Sequence, residues 1–294
     1  MSGEPTRAAL FDGYDALLVD LDGTLVLAGE VIKHAPEALD RARQGGKHVL
    51  IVTNNASRTP VEVAARLTER NIATSPDEVV NSSQAAATLL AASHAAGEPV
   101  LVLGTAALDE AIEAVGLRPV RLADDQPVAV VQGYSPDTGW RELAEACLAI
   151  RAGADWVATN TDSTLPTDRG ILPGNGAMVA ALMTATERSP RVAGKPERPL
   201  LDAAVARVGA KRPLVIGDRL GTDIAAAANA GIDSLMVLTG VSNADDVIHT
   251  EVTQRPTYVS ADLRGLVGDA PTVRLSEYTD DAALLDALGA LAAN

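Results

Sequence analysis

Cysteine is nearly absent from this chain: Cys147 is the only one among 294 residues. A single thiol excludes an intramolecular disulfide framework and a cysteine-based zinc centre. It falls in the apolar stretch from Leu143 to Ile150, where inert packing is expected. Aromatic residues are only 2%, so no stacking platform for single-stranded nucleic acid is evident, and the core must be made of Ala, Val, Leu and Ile. Positive charge is short as well. The 24 Lys and Arg against 39 Asp and Glu leave a formal net charge of −15, which argues against a phosphate-backbone partner. No apolar run reaches membrane-spanning length, and nothing near Met1 joins a basic segment to a secretory apolar core. These absences predict a cytoplasmic protein with neither nucleic acid nor membrane as partner.

What the chain does have is alternation. Short β-branched runs alternate with Ala-rich stretches of helical period. The pattern predicts strands at Ala16–Asp20, His48–Thr53, Val79–Ser82, Val100–Gly104, Ala129–Gly133, Trp156–Asn160, Leu214–Asp218, Ser234–Leu238 and Thr257–Val259. Helices are predicted between them, with a last one over Asp280–Ala292. Continuous apolar strands between helices read as parallel strands covered on both faces, the doubly wound α/β class. The alternation from Ser83 to about Pro190 is self-contained and includes the long Pro- and Gly-rich stretch Asn160–Gly176. This predicts two domains: a core of residues 1–83 plus 190–294, and an inserted α/β domain of residues 84–189. The tail after Asp269 reads as a peripheral connection to the last helix, and Trp140 and Trp156 as anchors of the inserted domain. The four histidines, His34, His48, His94 and His249, show no ligand spacing and read as structural.

In doubly wound folds ligands collect beyond the C-terminal ends of strands, and four polar clusters fall there or at helix starts. The first is Asp20-Leu21-Asp22-Gly23-Thr24. Residues i and i+2 of a strand point the same way, so two carboxylates leave the strand end together. They stay ionised only beside a cation or strong donors, which proposes a metal site or an acid/base dyad; a simple Asp/Gly turn is the bland reading. A carboxylate can also attack an electrophilic phosphorus while its neighbour protonates the leaving group. The second cluster, Thr53-Asn54-Asn55, offers a hydroxyl and backbone amides to phosphate oxygens, or else a helix cap. The third, Gly194-Lys195-Pro196, offers a point charge to a phosphoryl transition state, or a solvated surface lysine. The fourth, Gly217-Asp218-Arg219 with Thr222-Asp223, offers a Mg²⁺ ligand and an outer acid, or an N-cap.

In this order the clusters resemble the four motifs of the haloacid-dehalogenase superfamily of phosphohydrolases. Thr53-Asn54-Asn55 with Arg58, and the pattern through Asn160, Asp162, Pro166, Gly170, Pro173, Gly174 and Gly176, resemble the class with a large α/β cap inserted in a Rossmann-like core. The resemblance runs from about Tyr14 to Val267. It implies Asp20 as nucleophile and Asp22 as general acid/base, with the Asp22 carbonyl also on Mg²⁺. Thr53, Asn54 and Asn55 would bind the phosphoryl group, and Lys195 would neutralise it. Asp218 would ligate Mg²⁺, with Asp223 behind it, so the metal set is Asp20, Asp22 and Asp218. The cap loop Asp162–Pro166 would choose the substrate, with Asp162, Leu165 and Arg58 as specificity residues. Pyridoxal-phosphate phosphatases of this class commonly carry His before that proline. Leu165 stands there instead, which favours small flexible esters, glycerol 3-phosphate first and phosphoglycolate next; pyridoxal phosphate and nucleotide monophosphates are alternatives. A phosphotransferase and a non-catalytic phosphate sensor remain further readings. Caps of this class also imply a homodimer through the cap. Arg198 departs from the family pattern and reads as a surface substitution or a substrate contact.

Overall fold

The computed structural model describes residues 9–167 and 169–292. Its larger sheet has seven strands, in the order Thr272–Arg274, Tyr258–Ser260, Asp233–Val237, Pro213–Gly217, Ala16–Val19, His48–Thr53 and Val79–Asn81. Ala16–Val19 sits between two parallel neighbours, with Val19 level with Ile216 on one side and Ile51 on the other. All four of its residues are fully buried. That is why the strand is a continuous apolar run rather than an alternating one: helices cover both of its faces. The helix Ala35–Gln44 shows the complementary pattern, burying Ala35, Ala38, Leu39 and Ala42 along one stripe.

A second, five-stranded sheet has the order Arg191–Val192, Asp155–Ala158, Ala129–Gln132, Pro99–Leu103 and Arg118–Val120, every pairing parallel. One face packs a cluster that includes Leu101, Val130, Ile150, Trp156 and Leu182, with half-buried Cys147 against its edge. Contacts divide the chain into two compact units. One comprises the chain up to Val52, Ala64–Val79 and the chain from Ala204; the other comprises Thr53–Val63 and Val80–Ala203. The doubly wound α/β class is as expected.

Three expectations are corrected. Trp140 is no core anchor: it starts the helix Trp140–Arg151 and is 81% exposed, whereas Trp156 is buried. The first turn of a helix can hold a residue out into solvent however apolar it is. The tail is not a peripheral connection either. Thr272–Arg274 adds an antiparallel edge strand, and Val273, Leu275, Leu284, Leu288 and Leu291 join one core with Ile224, Met236, Val247 and Val259. A three-residue strand with one inward side chain has no periodicity to read. Finally, the expected cap loop Asp162–Pro166 is partly strand: Thr164–Thr167 pairs with Gly170–Pro173 in an antiparallel hairpin, Leu165 opposite Leu172. No helix among the described residues is long and apolar enough to cross a membrane.

Candidate active site

One group of the expected site residues lies at the C-terminal ends of Ala16–Val19 and Pro213–Gly217. The ladder between them runs one residue beyond the strand, the Asp20 N–H donating to the Ile216 carbonyl at 2.8 Å. This brings Asp20 to the level of Gly217 and Asp218. Carboxylate oxygens of Asp20, Asp218 and Asp223 lie within 4.8 Å of one another, and all three residues are buried. Asp223 comes from the π-helical turn Leu220–Ile224, which leads into the helix Ala225–Ala230.

Glycines make room for these acids. A Cβ on Gly240 would stand 2.0 Å from Asp218 Oδ2, one on Gly23 would stand 2.4 Å from the same atom, and one on Gly217 would stand 2.3 Å from Asp223 Cβ. Gly23 also has φ +94°, a conformation open to glycine and disfavoured for other residues. Amides then aim the carboxylates. The Val241 N–H donates to Asp218 Oδ2 at 2.6 Å, and the Arg219 N–H donates to Asp223 Oδ2 at 3.2 Å. Burial, joined by the charge of Asp223, still outweighs the Val241 amide and pushes the Asp218 carboxyl above the usual carboxylate range. Three buried acids in a cradle that no side chain can enter form an oxygen-only donor set. That set fits a hard divalent cation such as Mg²⁺.

The Asp22 carboxylate is not one of this group. The strand stops at Val19, so the i, i+2 rule does not carry on to Asp22. Asp22 sits in a tight turn, closed by Leu25 N–H to Leu21 O at 3.0 Å and Gly23 N–H to Val26 O at 2.7 Å, and is exposed.

A second group of the expected site residues is built around the loop after His48–Thr53. Thr53 is buried, and its hydroxyl accepts from the Asn55 N–H at 3.1 Å. The Asn54 carbonyl accepts from Ser82 Oγ at 2.6 Å and from Asn160 Nδ2 at 2.8 Å. The Asn54 side chain meets Lys195, accepting from its N–H at 2.8 Å and donating to its carbonyl at 2.9 Å. It also donates to Asp162 Oδ2 at 3.3 Å. Lys195 is 2% exposed, which removes the solvated-surface reading, and its bond to Pro196 is cis. Arg58 is half-buried, its carbonyl accepting from Asn81 Nδ2 at 2.8 Å. Leu165 is half-buried on the hairpin. Arg198 is exposed and pairs with Asp202 at 3.2 Å.

Sequence reasoning did not single out Gly240, Val241 or Asn175. The signal for Gly240 was a glycine just past an apolar strand, a mark of close backbone approach. Asn175 donates to the Asn160 carbonyl at 2.7 Å, and nothing local in the sequence announces such a long-range bond.

Two family models match, described as haloacid dehalogenase-like hydrolase over residues 17–118 and HAD-like hydrolase over residues 192–266. D-glycerol 3-phosphate phosphatase of Mycobacterium tuberculosis is 54% identical over 257 residues, 87% of this chain and 72% of the relative. Acid sugar phosphatase of Staphylococcus aureus is 36% identical over 258 residues, 87% of this chain and 98% of the relative. Among solved structures, glycerol phosphate phosphatase of Mycobacterium tuberculosis in complex with magnesium superposes with a TM-score of 0.86 at 54% identity, covering 89% of this chain and 78% of that one. Motifs, fold and relatives agree: the chain belongs to the haloacid dehalogenase-like hydrolases.

Proposed function

We propose that this chain is a Mg²⁺-dependent phosphomonoesterase that hydrolyses glycerol 3-phosphate through an aspartyl-phosphate intermediate. The observation that carries the reading is the buried group of Asp20, Asp218 and Asp223. A structural role would not place three like charges together out of water, whereas a cation-dependent phosphoryl site needs them. The substrate rests on the 54% identity to a D-glycerol 3-phosphate phosphatase and on Leu165, an aliphatic side chain with no ring to stack.

Asp20 attacks phosphorus through one carboxylate oxygen, forming an acyl-phosphate bond as the ester P–O bond breaks. Asp22, exposed and beside it in sequence, gives its proton to the departing glycerol oxygen. It then takes a proton from the water that attacks phosphorus, which returns the Asp20 carboxylate and releases inorganic phosphate. Asp20, the Asp22 carbonyl and Asp218 hold the cation, with Asp223 behind Asp218. The cation's contribution is to offset the charge of carboxylates and phosphoryl oxygens in one place. Thr53 and the amides of Asn54 and Asn55 bind phosphoryl oxygens, and Lys195 neutralises the growing charge. Residues 84–189 serve as the cap domain in this reading, with Asp162, Leu165 and Arg58 selecting the ester. The partner is a small phosphorylated metabolite in the cytoplasm, and the cap pairs two copies of the chain.

A panel of phosphate esters with and without Mg²⁺ tests this. Glycerol 3-phosphate is expected to have the highest kcat/KM, ahead of phosphoglycolate, pyridoxal phosphate and nucleoside monophosphates, and activity is expected to vanish on chelation. Free phosphate as nearly the sole phosphorylated product in added glycerol separates hydrolysis from phosphotransfer. Turnover that does not need a divalent cation would overturn the reading.

A further inference from the structure

The Asn54 side chain makes bonds that phosphate binding by its backbone amide does not call for. Its carboxamide engages both backbone polar groups of one residue, Oδ1 accepting from the Lys195 N–H and Nδ2 donating to the Lys195 carbonyl, at 2.8 and 2.9 Å. A primary amide that pairs with both the N–H and the C=O of one residue acts like a neighbouring strand, fixing that residue in position and in rotation. The same Nδ2 reaches Asp162 Oδ2 at 3.3 Å. Asp162 is the root of the hairpin: its carbonyl accepts from the Gly176 N–H at 2.9 Å, and a Cβ on Gly174 would stand 2.2 Å from that carbonyl oxygen.

The surroundings leave Asn54 no other pose. Its carbonyl is held by Ser82 and Asn160. A Cβ on Gly194 would come within 2.5 Å of Asn54 Oδ1 and 2.6 Å of the Thr159 carbonyl, so the residue before Lys195 has to be glycine for the clamp to close. The buried ammonium-bearing residue and the base of the hairpin therefore both bond to one carboxamide.

We infer that Asn54 is a positioning residue whose side chain locks Lys195 and the Asp162 hairpin into one unit, so that charge neutralisation and ester selection are set together. This rests on the phosphatase reading for its kinetic consequences. A misplacement of about 1 Å at a reacting centre lowers rate by roughly 100-fold. Loosening this clamp therefore shows in kcat and in selectivity rather than in overall folding.

The test uses the full chain and four proteins: wild type, Asn54→Ala, Asn54→Asp, and the double variant Asn54→Asp/Asp162→Asn. Steady-state kinetics are measured with glycerol 3-phosphate and p-nitrophenyl phosphate, with melting temperature and hydrogen exchange alongside. For Asn54→Ala we expect kcat to fall about 10- to 100-fold and the preference for glycerol 3-phosphate over p-nitrophenyl phosphate to shrink. Exchange is expected to rise together at the Lys195 amide and across residues 162–176. Asn54→Asp sets two carboxylates against each other and should be worse. The double variant lets residue 162 donate to residue 54 but leaves the Lys195 carbonyl without its donor, so it should regain ester preference over Asn54→Asp while kcat stays low. The inference fails if Asn54→Ala keeps its kcat and its ester preference within about twofold. It fails equally if the double variant regains no ester preference over Asn54→Asp, or if exchange rises at Lys195 and not in the hairpin. If the wild type turns over neither ester, the phosphatase reading fails instead, while the exchange measurement still decides the coupling.

Discussion

The two larger sheets end in opposite kinds of chemistry. At the C-terminal ends of the larger sheet the chain buries Asp20 and Asp218, with Asp223 just beyond. At the same ends of the five-stranded sheet it buries Gln132, Thr159 and Asn160, with Asn175 at the helix that follows. Both positions are topologically favoured for ligands, and both bury polar groups to a similar degree. The difference is charge. Neutral amides can stay buried whether bonded, as Asn160 and the Asn175 Nδ2 are, or without a side-chain partner, as Gln132 is. Three clustered carboxylates keep their charge only beside a cation or strong donors, and the two backbone amides on Asp218 and Asp223 leave a place for a cation. Fold alone supplies the crevice; the residue type at the strand end decides whether it is reactive.

The comparison can be pressed hardest by removing charge from one sheet end and polarity from the other. Asp20→Asn is expected to lower phosphate release from glycerol 3-phosphate by about 10³-fold or more, since a carboxamide cannot form the acyl phosphate. The cradle comes next. Gly240→Ala puts a Cβ where Asp218 Oδ2 already stands, at 2.0 Å, and should weaken Mg²⁺ binding roughly 10- to 100-fold, read by calorimetric titration.

Asp218→Asn separates stability from activity. Burial and Asp223 both disfavour its charge, so in the absence of divalent cation the variant should melt a few degrees higher than wild type. The rise in melting temperature that Mg²⁺ gives the wild type should disappear with it. The contrasting change, Gln132→Leu, removes a buried amide from the other sheet. It should move stability by no more than about 1 kcal/mol and leave the Mg²⁺-induced shift intact. A loss of that shift in Gln132→Leu would break the comparison.

The smallest effect lies at the opposite end of the five-stranded sheet. Burial works to raise the Asp155 carboxyl, but Arg191 and His94 outweigh it and hold the group below its usual range. A lowered folded value means stability that is present above the ordinary carboxylate range and lost as pH falls through the lowered one. Asp155→Asn should therefore cost under about 1 kcal/mol near neutral pH and nothing once the pH has fallen through the lowered value, seen as urea midpoints that converge in acid.

The fold class was legible because buried parallel strands are apolar throughout, and Ala16–Val19 and Leu214–Ile216 announce themselves without any partner being known. Asp20 and Asp218 were legible because each sits one step past such a strand. Other features are products of tertiary placement. The burial of Lys195 depends on what the chain folds over it. The exposure of Trp140 depends on which turn of its helix meets the core. Thr272–Arg274 takes its strand character from the edge it joins. The Asn54 clamp spans 141 residues of sequence to Lys195, and no local pattern encodes a bond of that range.

The account's central claim is that the buried acids of the larger sheet form a cation-dependent nucleophilic site. Phosphate release from glycerol 3-phosphate by wild type and Asp20→Asn, each with saturating Mg²⁺ and with chelator, tests it most directly. The prediction is rapid release only by wild type with Mg²⁺, while both proteins keep the same secondary-structure spectrum. Release by Asp20→Asn at a wild-type rate, or undiminished release under chelation, would contradict it.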